Sequence, residues 1–270
     1  MPLARVNGVG LYYELAGDGD PLVLVHGSWT DHGTWGAVVP DLAERYRVLA
    51  YDRRGHSRSE RPAGQGTRTE DEQDLAALIE TFDLAPAHVA GNSFGASTAL
   101  GLAARRPELF RSLVAHEPPL MGIVGEDPEL GPLMRAMGEK LESVREHLRA
   151  GENLAGAEQF VEEVALGPGN WEQLPDWLRD TLVTNAPTFL DELADPAWLF
   201  LDLAGLSGYT GPALLTNGTE SPPWFPAIIS RLGEALPRAE VRTLEGTGHV
   251  PHVSHPEDYL RSLTGFLDAV

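Results

Sequence analysis

Gly91-Asn92-Ser93-Phe94-Gly95 stands between a short apolar stretch, Ala87-His88-Val89-Ala90, and an alanine-rich run over residues 96–104. The five residues form a G-x-S-x-G pattern, and their flanks predict a strand before it and a helix after it. A serine at such a strand-to-helix turn projects its hydroxyl out of the sheet. The two glycines remove side chains that would collide where strand and helix pack closely. The N–H after the serine then sits at a helix N-terminus, where anions are favoured. The pattern implies that Ser93 is the nucleophile of a hydrolase.

Outward from this turn, the first third of the chain alternates strand and helix signals. Residues 3–6 and 9–15 predict a hairpin around Asn7-Gly8. Pro21-Leu22-Val23-Leu24-Val25 is a continuous apolar run, as expected of a strand buried on both faces. Residues 46–51 and 111–116 read the same way. Residues 35–45 carry a helical pattern, and 71–82 another, with Leu75, Leu78, Ile79 and Phe82 on one face. From Pro118 to Ser207 strand runs vanish, and helical segments over 129–149, 154–166, 171–183 and 188–203 take over. After Gly211-Pro212 the alternation returns: strands at 213–217 and 240–244, helices at 223–236 and 257–270. The chain therefore divides into an α/β core, residues 1–117 and 208–270, and a helical cap, residues 118–207. A cap over the strands' carboxyl ends would cover the edge where open α/β sheets bind ligands.

Composition narrows the function. The chain has 270 residues, no cysteine and a formal net charge of −20. Without cysteine there is neither a disulfide framework nor thiol chemistry. The negative charge speaks against nucleic acid or an anionic membrane as a partner. No run reaches the about 18 apolar residues of a membrane-spanning helix. The first residues lack the basic head and apolar stretch of a signal peptide. A cytoplasmic protein acting on a small molecule is expected, as a monomer or homodimer.

Ser93 needs a base. The best candidate is His249 in Gly246-Thr247-Gly248-His249-Val250-Pro251, a loop after the last strand. Serine, acid and histidine then follow in the chain order of a G-x-S-x-G hydrolase; alternatively, His249 only caps its loop. The acid has two candidates. Glu220 follows the strand at 213–217, one residue short of the usual position, which Ser221 occupies. Glu117, in His116-Glu117-Pro118-Pro119, ends the strand after the elbow helix. Burying a carboxylate at a strand's end is costly unless it is paired, and the N–H of His249 would pair it. Glu117 is favoured; its alternative role is to cap the first helix of the insertion. The oxyanion donors are expected to be the N–H groups of Phe94 and of Ser28, in His26-Gly27-Ser28-Trp29. His26 reads as a support of that loop. Asp52-Arg53-Arg54-Gly55-His56-Ser57 reads as wiring near the site, its arginines paired inside the protein or drawing an acidic substrate. Trp29, Phe189, Trp177 and Val250 are candidate substrate-pocket residues. His249, His252 and His255 do not make a metal site, because Pro251 and Pro256 break helical spacing. No phosphate-cradling G-x-G-x-x-G is present, and neither metal nor cofactor is expected.

With these motifs in order, the chain resembles the α/β-hydrolase superfamily over almost its whole length. His26-Gly27, Asp52-Arg53-Arg54-Gly55-His56-Ser57, Gly91–Gly95 and Gly248-His249 carry the resemblance together. It implies a mostly parallel eight-stranded sheet flanked by helices, with the helical cap inserted after the sixth strand. The departure is Ser221, where most members place an aspartate. A subgroup of haloalkane dehalogenases and the zearalenone-type lactone hydrolases instead carry a glutamate where Glu117 stands. The latter are also similar in Gly95-Ala96-Ser97-Thr98, His116-Glu117 and Val253-Ser254-His255-Pro256. Dehalogenases and epoxide hydrolases of this fold use aspartate where Ser93 stands, so serine implies acyl chemistry. The expectation is a cofactor-independent ester or lactone hydrolase working through an acyl-enzyme. Carbon–carbon bond hydrolysis and perhydrolysis on the same triad are alternatives. A ligand-binding or sensor protein that lost turnover is the alternative of another class.

Overall fold

A computed structural model describes residues 2–270. The strands are β1 (Leu3–Val6), β2 (Val9–Ala16), β3 (Asp20–Val25), β4 (Tyr46–Tyr51), β5 (Ala87–Asn92), β6 (Phe110–His116), β7 (Ala213–Gly218) and β8 (Ala239–Leu244). Among the described residues they form one sheet in the order β1-β2-β4-β3-β5-β6-β7-β8. β1 and β2 pair antiparallel about Asn7-Gly8, and β2 pairs antiparallel with β4; every later pair is parallel. Asn7 (φ 48°) and Gly8 (φ 79°) supply the two left-handed residues that a tight hairpin turn needs.

The strand sequences explain why both faces are covered. In β3, Val23 and Val25 face one core with Leu75, Leu78 and Leu100. Leu22 and Leu24 face the other, with Trp35, Leu42, Tyr259 and Leu263. This is the period-2 alternation of a strand whose two faces are both apolar. The helices are α1 (Val39–Ala43), α2 (Arg68–Thr81), α3 (Phe94–Arg105), α4 (Gly131–Arg149), α5 (Asn153–Gln159), α6 (Asp176–Asn185), α7 (Thr188–Ala194), α8 (Leu203–Leu206), α9 (Trp224–Ala235), α10 (Pro251–Ser254) and α11 (Pro256–Leu267). α2 begins on a full capping box: Thr67 accepts from the Glu70 N–H while Glu70 accepts from the Thr67 N–H. Helices α4 to α8 form the insertion between β6 and β7.

Four helical expectations are corrected, the one over 171–183 because it is a 3₁₀ turn, Trp171–Gln173, broken by extended Leu174 and Pro175 before α6. The segment 35–45 is a short 3₁₀ turn, His32–Trp35, followed by α1, which starts with Pro40 in its first turn. The expected helix over 154–166 is α5 followed by a π-helical turn, Phe160–Ala165, with Leu166 and Gly167 N–H both on the Val161 carbonyl. The expected helix over 188–203 stops at Ala194, because Pro196 forces Asp195 into an extended conformation (ψ 115°).

Register places the loops that matter. Val25 of β3 lies beside Gly91 of β5, Asn92 beside His116 of β6, and His116 beside Thr216 of β7. The carboxyl ends of four neighbouring strands therefore converge on one edge. The insertion covers that edge and shares its core: Met137, Leu141 and Phe189 belong to the same buried cluster as Val25 and Phe94. Among the described residues no helix is long and apolar enough to cross a membrane.

Candidate active site

Ser93 sits between β5 and α3 at φ 55°, ψ −125°. A left-handed φ on a non-glycine residue is strained and persists only where its surroundings fix it. Here the Ser93 N–H donates to the His116 carbonyl at 2.9 Å, and its own carbonyl starts α3 by accepting from Ala96 and Ser97. The flanking glycines are required by contact. A Cβ on Gly95 would lie 2.2 Å from the Val25 carbonyl oxygen, and one on Gly91 would lie 2.5 Å from that of Gly95.

Glu117 follows β6 at φ 45° and is fully buried. Its Oε2 accepts from His249 Nδ1 at 2.7 Å, and its Oε1 from the Gly218 N–H at 2.7 Å. Burial alone would raise its pKa. The His249 hydrogen bond, the neighbouring His116 and the Gly218 N–H overcome that and bring it down to about 2. His116 is buried and held down to about 4, so it is neutral. Its Nδ1 accepts from the Thr216 hydroxyl at 2.9 Å while Nε2 donates to the Gly248 carbonyl at 3.2 Å. Asn92 donates to the His249 carbonyl at 2.8 Å. The His249 loop is thus tied to both β5 and β6, and Phe225 stacks on the imidazole with ring centres 5.0 Å apart. Glu220 lies elsewhere: its backbone N–H donates to Thr247, and its residue lines the outer groove. Strand order explains the difference, since Glu117 ends β6, next to the elbow strand, whereas Glu220 lies beyond β7.

The loop after β3 meets the elbow directly. A Cβ on Gly27 would come within 3.0 Å of Ser93 Cβ. Among the described residues, no acceptor takes the Ser28 N–H. The Phe94 N–H opens α3, where the first N–H groups have no carbonyl one turn earlier. His26 supports the loop as the sequence suggested: Nδ1 donates to the Gly27 carbonyl at 2.8 Å, and Nε2 accepts from the Arg53 N–H at 2.9 Å. Burial, with the Arg53 charge beside it, keeps His26 neutral.

One participant gave no sequence signal. Glu192 of α7 is buried; its Oε2 accepts from the Ser28 hydroxyl at 2.5 Å and its Oε1 from Arg53 Nη2 at 2.7 Å. Arg53 also binds Asp71 at 2.9 Å and lies over the Phe94 ring, 4.6 Å from its centre. Burial pushes Asp71 up to about 7 against the pull of Arg53. Arg53 and Arg54 are therefore committed to ion pairs, Arg54 with Glu70 and Asp74.

Two cavities meet at Ser93, each touching Ser28, Ser93, Phe160 and His249. Phe189 lines the first and Val250 the second. Trp177 does not line either; on α6 it is turned outward and 47% exposed, while Leu178 and Leu182 of the same helix face inward. Trp29 also stays out of the cavities. Fully buried at φ 66°, it stacks behind Phe160 with ring centres 4.6 Å apart. No metal ligand set forms around His249. Among the described residues, only Asp31, His32 and Asp52 gather within 4.8 Å of one another. Their oxygens are spent on the Gly33 N–H, the Ser57 hydroxyl and the N–H groups of His32 and Arg58.

Comparison with known proteins places the fold. The chain is 26% identical over 266 residues to a pimeloyl-[acyl-carrier protein] methyl ester esterase of Nitrosospira multiformis, spanning 96% of this chain and 98% of that one. It is 38% identical over 122 residues to an uncharacterized hydrolase of Bacillus subtilis, a match covering 44% of this chain and 45% of that relative. In three dimensions it superposes on the enol-lactonase of Burkholderia xenovorans LB400 with TM-score 0.81 and 24% identity, over 99% and 100% of the two chains. The sequence model of the alpha/beta hydrolase family matches residues 22–262, and the chain belongs to that family of enzymes.

Proposed function

We propose that the chain is a serine hydrolase that cleaves a carboxylic ester or lactone through an acyl-enzyme. The observation that carries this reading is the 2.7 Å bond from His249 Nδ1 to the buried Glu117, beside a strained Ser93 on the same cavities. That bond leaves Nε2 as the ring nitrogen free to act on Ser93. As Ser93 Oγ attacks the carbonyl carbon, His249 takes its proton, and Glu117 stabilises the resulting imidazolium. The Ser28 and Phe94 N–H groups hold the oxyanion, each such donor contributing about 10²–10³ in rate. The C–O bond to the alcohol then breaks, and His249 returns the proton to the leaving oxygen. Water, deprotonated by His249, adds to the acyl carbon; the Ser93–acyl bond breaks as His249 returns the proton to Ser93 Oγ, and the acid leaves. The relationship to an ester-cleaving relative over nearly the whole chain supports the choice of an ester bond.

The test is covalent labelling and replacement. A fluorophosphonate is expected to modify Ser93 alone, with loss of fluoride. Ser93→Ala is expected to fold normally and to lose ester turnover by on the order of 10³-fold or more. Unchanged turnover in that variant would refute the reading.

A further inference from the structure

The two cavities differ in where they lead. The first runs beneath the insertion, past Met137, Leu141, Phe189 and Trp198, to Trp224 and Phe225 of α9. The second runs past Val161, Leu174, Leu178 and Leu182 to Val250 and Val253. Each encloses about 60 Å³ of space that a water molecule can reach. Phe160, the first residue of the π-helical turn, lines both. It is fixed by stacking on Trp29 and by an edge-on contact with Phe189, ring centres 5.1 Å apart. A carbonyl held at Ser93 sends its acyl carbon and its alkoxy oxygen in diverging directions, and two cavities leave Ser93 to receive them.

Neither cavity offers a counter-charge. Among the described residues, no lysine or arginine lines either one. Beyond Ser28, Ser93 and His249, their polar groups are the neutral indoles of Trp198 and Trp224 in the first and Thr30, Thr34 and Asn92 in the second, the last three hydrogen-bonded to the protein. Arg53, the buried cation behind Phe94, is held by Asp71 and Glu192. The groove outside His249 carries Glu162, Glu163 and Glu220; among the described residues its one lysine or arginine, Lys140, donates to the Glu163 carbonyl at 3.1 Å. An anionic substrate would cross that acidic groove and lose its hydration in a cavity that offers no counter-charge, which is unfavourable.

We propose that the substrate is an uncharged open-chain ester with an apolar arm on each side of its carbonyl, one arm per cavity and Phe160 lining both. This inference rests on the serine-hydrolase reading and sharpens it: a small lactone ring is a single body and fills only one of the two cavities.

The test uses the wild-type enzyme and a matrix of alkyl alkanoates, with acyl and alcohol chains each lengthened from one to eight carbons and acid release followed by titration. The expected result is an optimum in each series that does not move when the other chain is changed. An optimum set by the combined length alone means a single cavity and overturns the proposal. Monoethyl succinate is expected to react at least about 10²-fold more slowly in kcat/KM than ethyl pentanoate; equal rates overturn the exclusion of anions. Leu141→Val is expected to shift one series and Leu178→Val the other, whereas shifts in the same series, or in neither, contradict the two-arm arrangement. If the fluorophosphonate labels Ser93 but no ester of the matrix is turned over, this inference fails alone. If Ser93 is not labelled and turnover survives Ser93→Ala, the serine-hydrolase reading itself fails.

Discussion

At the residue scale the chemistry depends on which carboxylate faces His249. Glu117 does so from inside the protein, and its environment keeps it ionised. Glu117→Gln is expected to lower kcat by about 10³–10⁴-fold, because an amide neither fixes the imidazole tautomer nor balances its charge. Glu220→Gln is expected to leave kcat within a few-fold of wild type. Steady-state kinetics on both variants decide the assignment. The same carboxylate carries a pH signature. Its folded pKa of about 2 lies below the ordinary 4.5, so between these values the folded protein binds fewer protons than the unfolded chain. Its stabilisation is complete above pH 4.5 and is lost as pH falls toward 2. The difference in unfolding free energy between wild type and Glu117→Gln should therefore narrow from pH 5 downward. A constant difference would show that the carboxylate is not held ionised by its partners.

At the scale of elements, the notable connection runs from α7 to the loop after β3. Glu192 links Ser28 to Arg53, and Arg53 links onward to Asp71 of α2. Through three side chains the insertion therefore fixes a loop that abuts Ser93. Removing Glu192 leaves the buried Arg53 with Asp71 as its remaining carboxylate partner and its charge only partly compensated. Glu192→Ala is expected to cost roughly 3–5 kcal/mol in denaturant unfolding. Glu192→Gln keeps the shape but drops the charge. It is expected to reduce kcat by about 10²-fold with little change in KM, since Ser28 loses its anchor while the apolar walls remain. A wild-type kcat in Glu192→Gln would show that the oxyanion loop is held by His26 and Gly27 without help from α7.

At the scale of the whole molecule, insertion and sheet share a single buried cluster on one face of the sheet. Met137, Leu141, Phe189 and Trp198 belong to it together with Val25, Phe94 and Leu100. The composition shift at Pro118 reads as a separate cap, yet these contacts leave the insertion no apolar core of its own. Heating is therefore expected to give one cooperative transition, with calorimetric and van't Hoff enthalpies equal. Two resolved transitions would mean that the insertion melts independently.

Much of this protein was legible in the chain. Ser93, the strands flanking it, the hairpin at Asn7-Gly8 and the helical insertion follow from local rules: glycine at crowded turns, period-2 and period-3.6 apolar patterns, proline breaks. Those rules act over a few residues, so a sequence states them directly. His249 and Glu117 were legible as candidates by order and loop type, with Glu117 already favoured over Glu220, and the β5-β6-β7 register explains why it is Glu117 that meets His249. Glu192 left no trace, because a carboxylate on an amphipathic helix reads as a solvated surface group until the fold brings Arg53 and Ser28 against it. Trp177 failed for the mirror reason: which side of α6 faces inward is set by what packs there, not by size or aromaticity. The sequence by itself determined the Gly91–Gly95 turn that presents Ser93 and the alternation that builds the sheet. Tertiary structure brought the favoured Glu117 against His249 and alone decided the Glu192 link and the walls of the cavities, since these depend on residues that are distant along the chain and meet only when strands fall into register and the insertion settles over them.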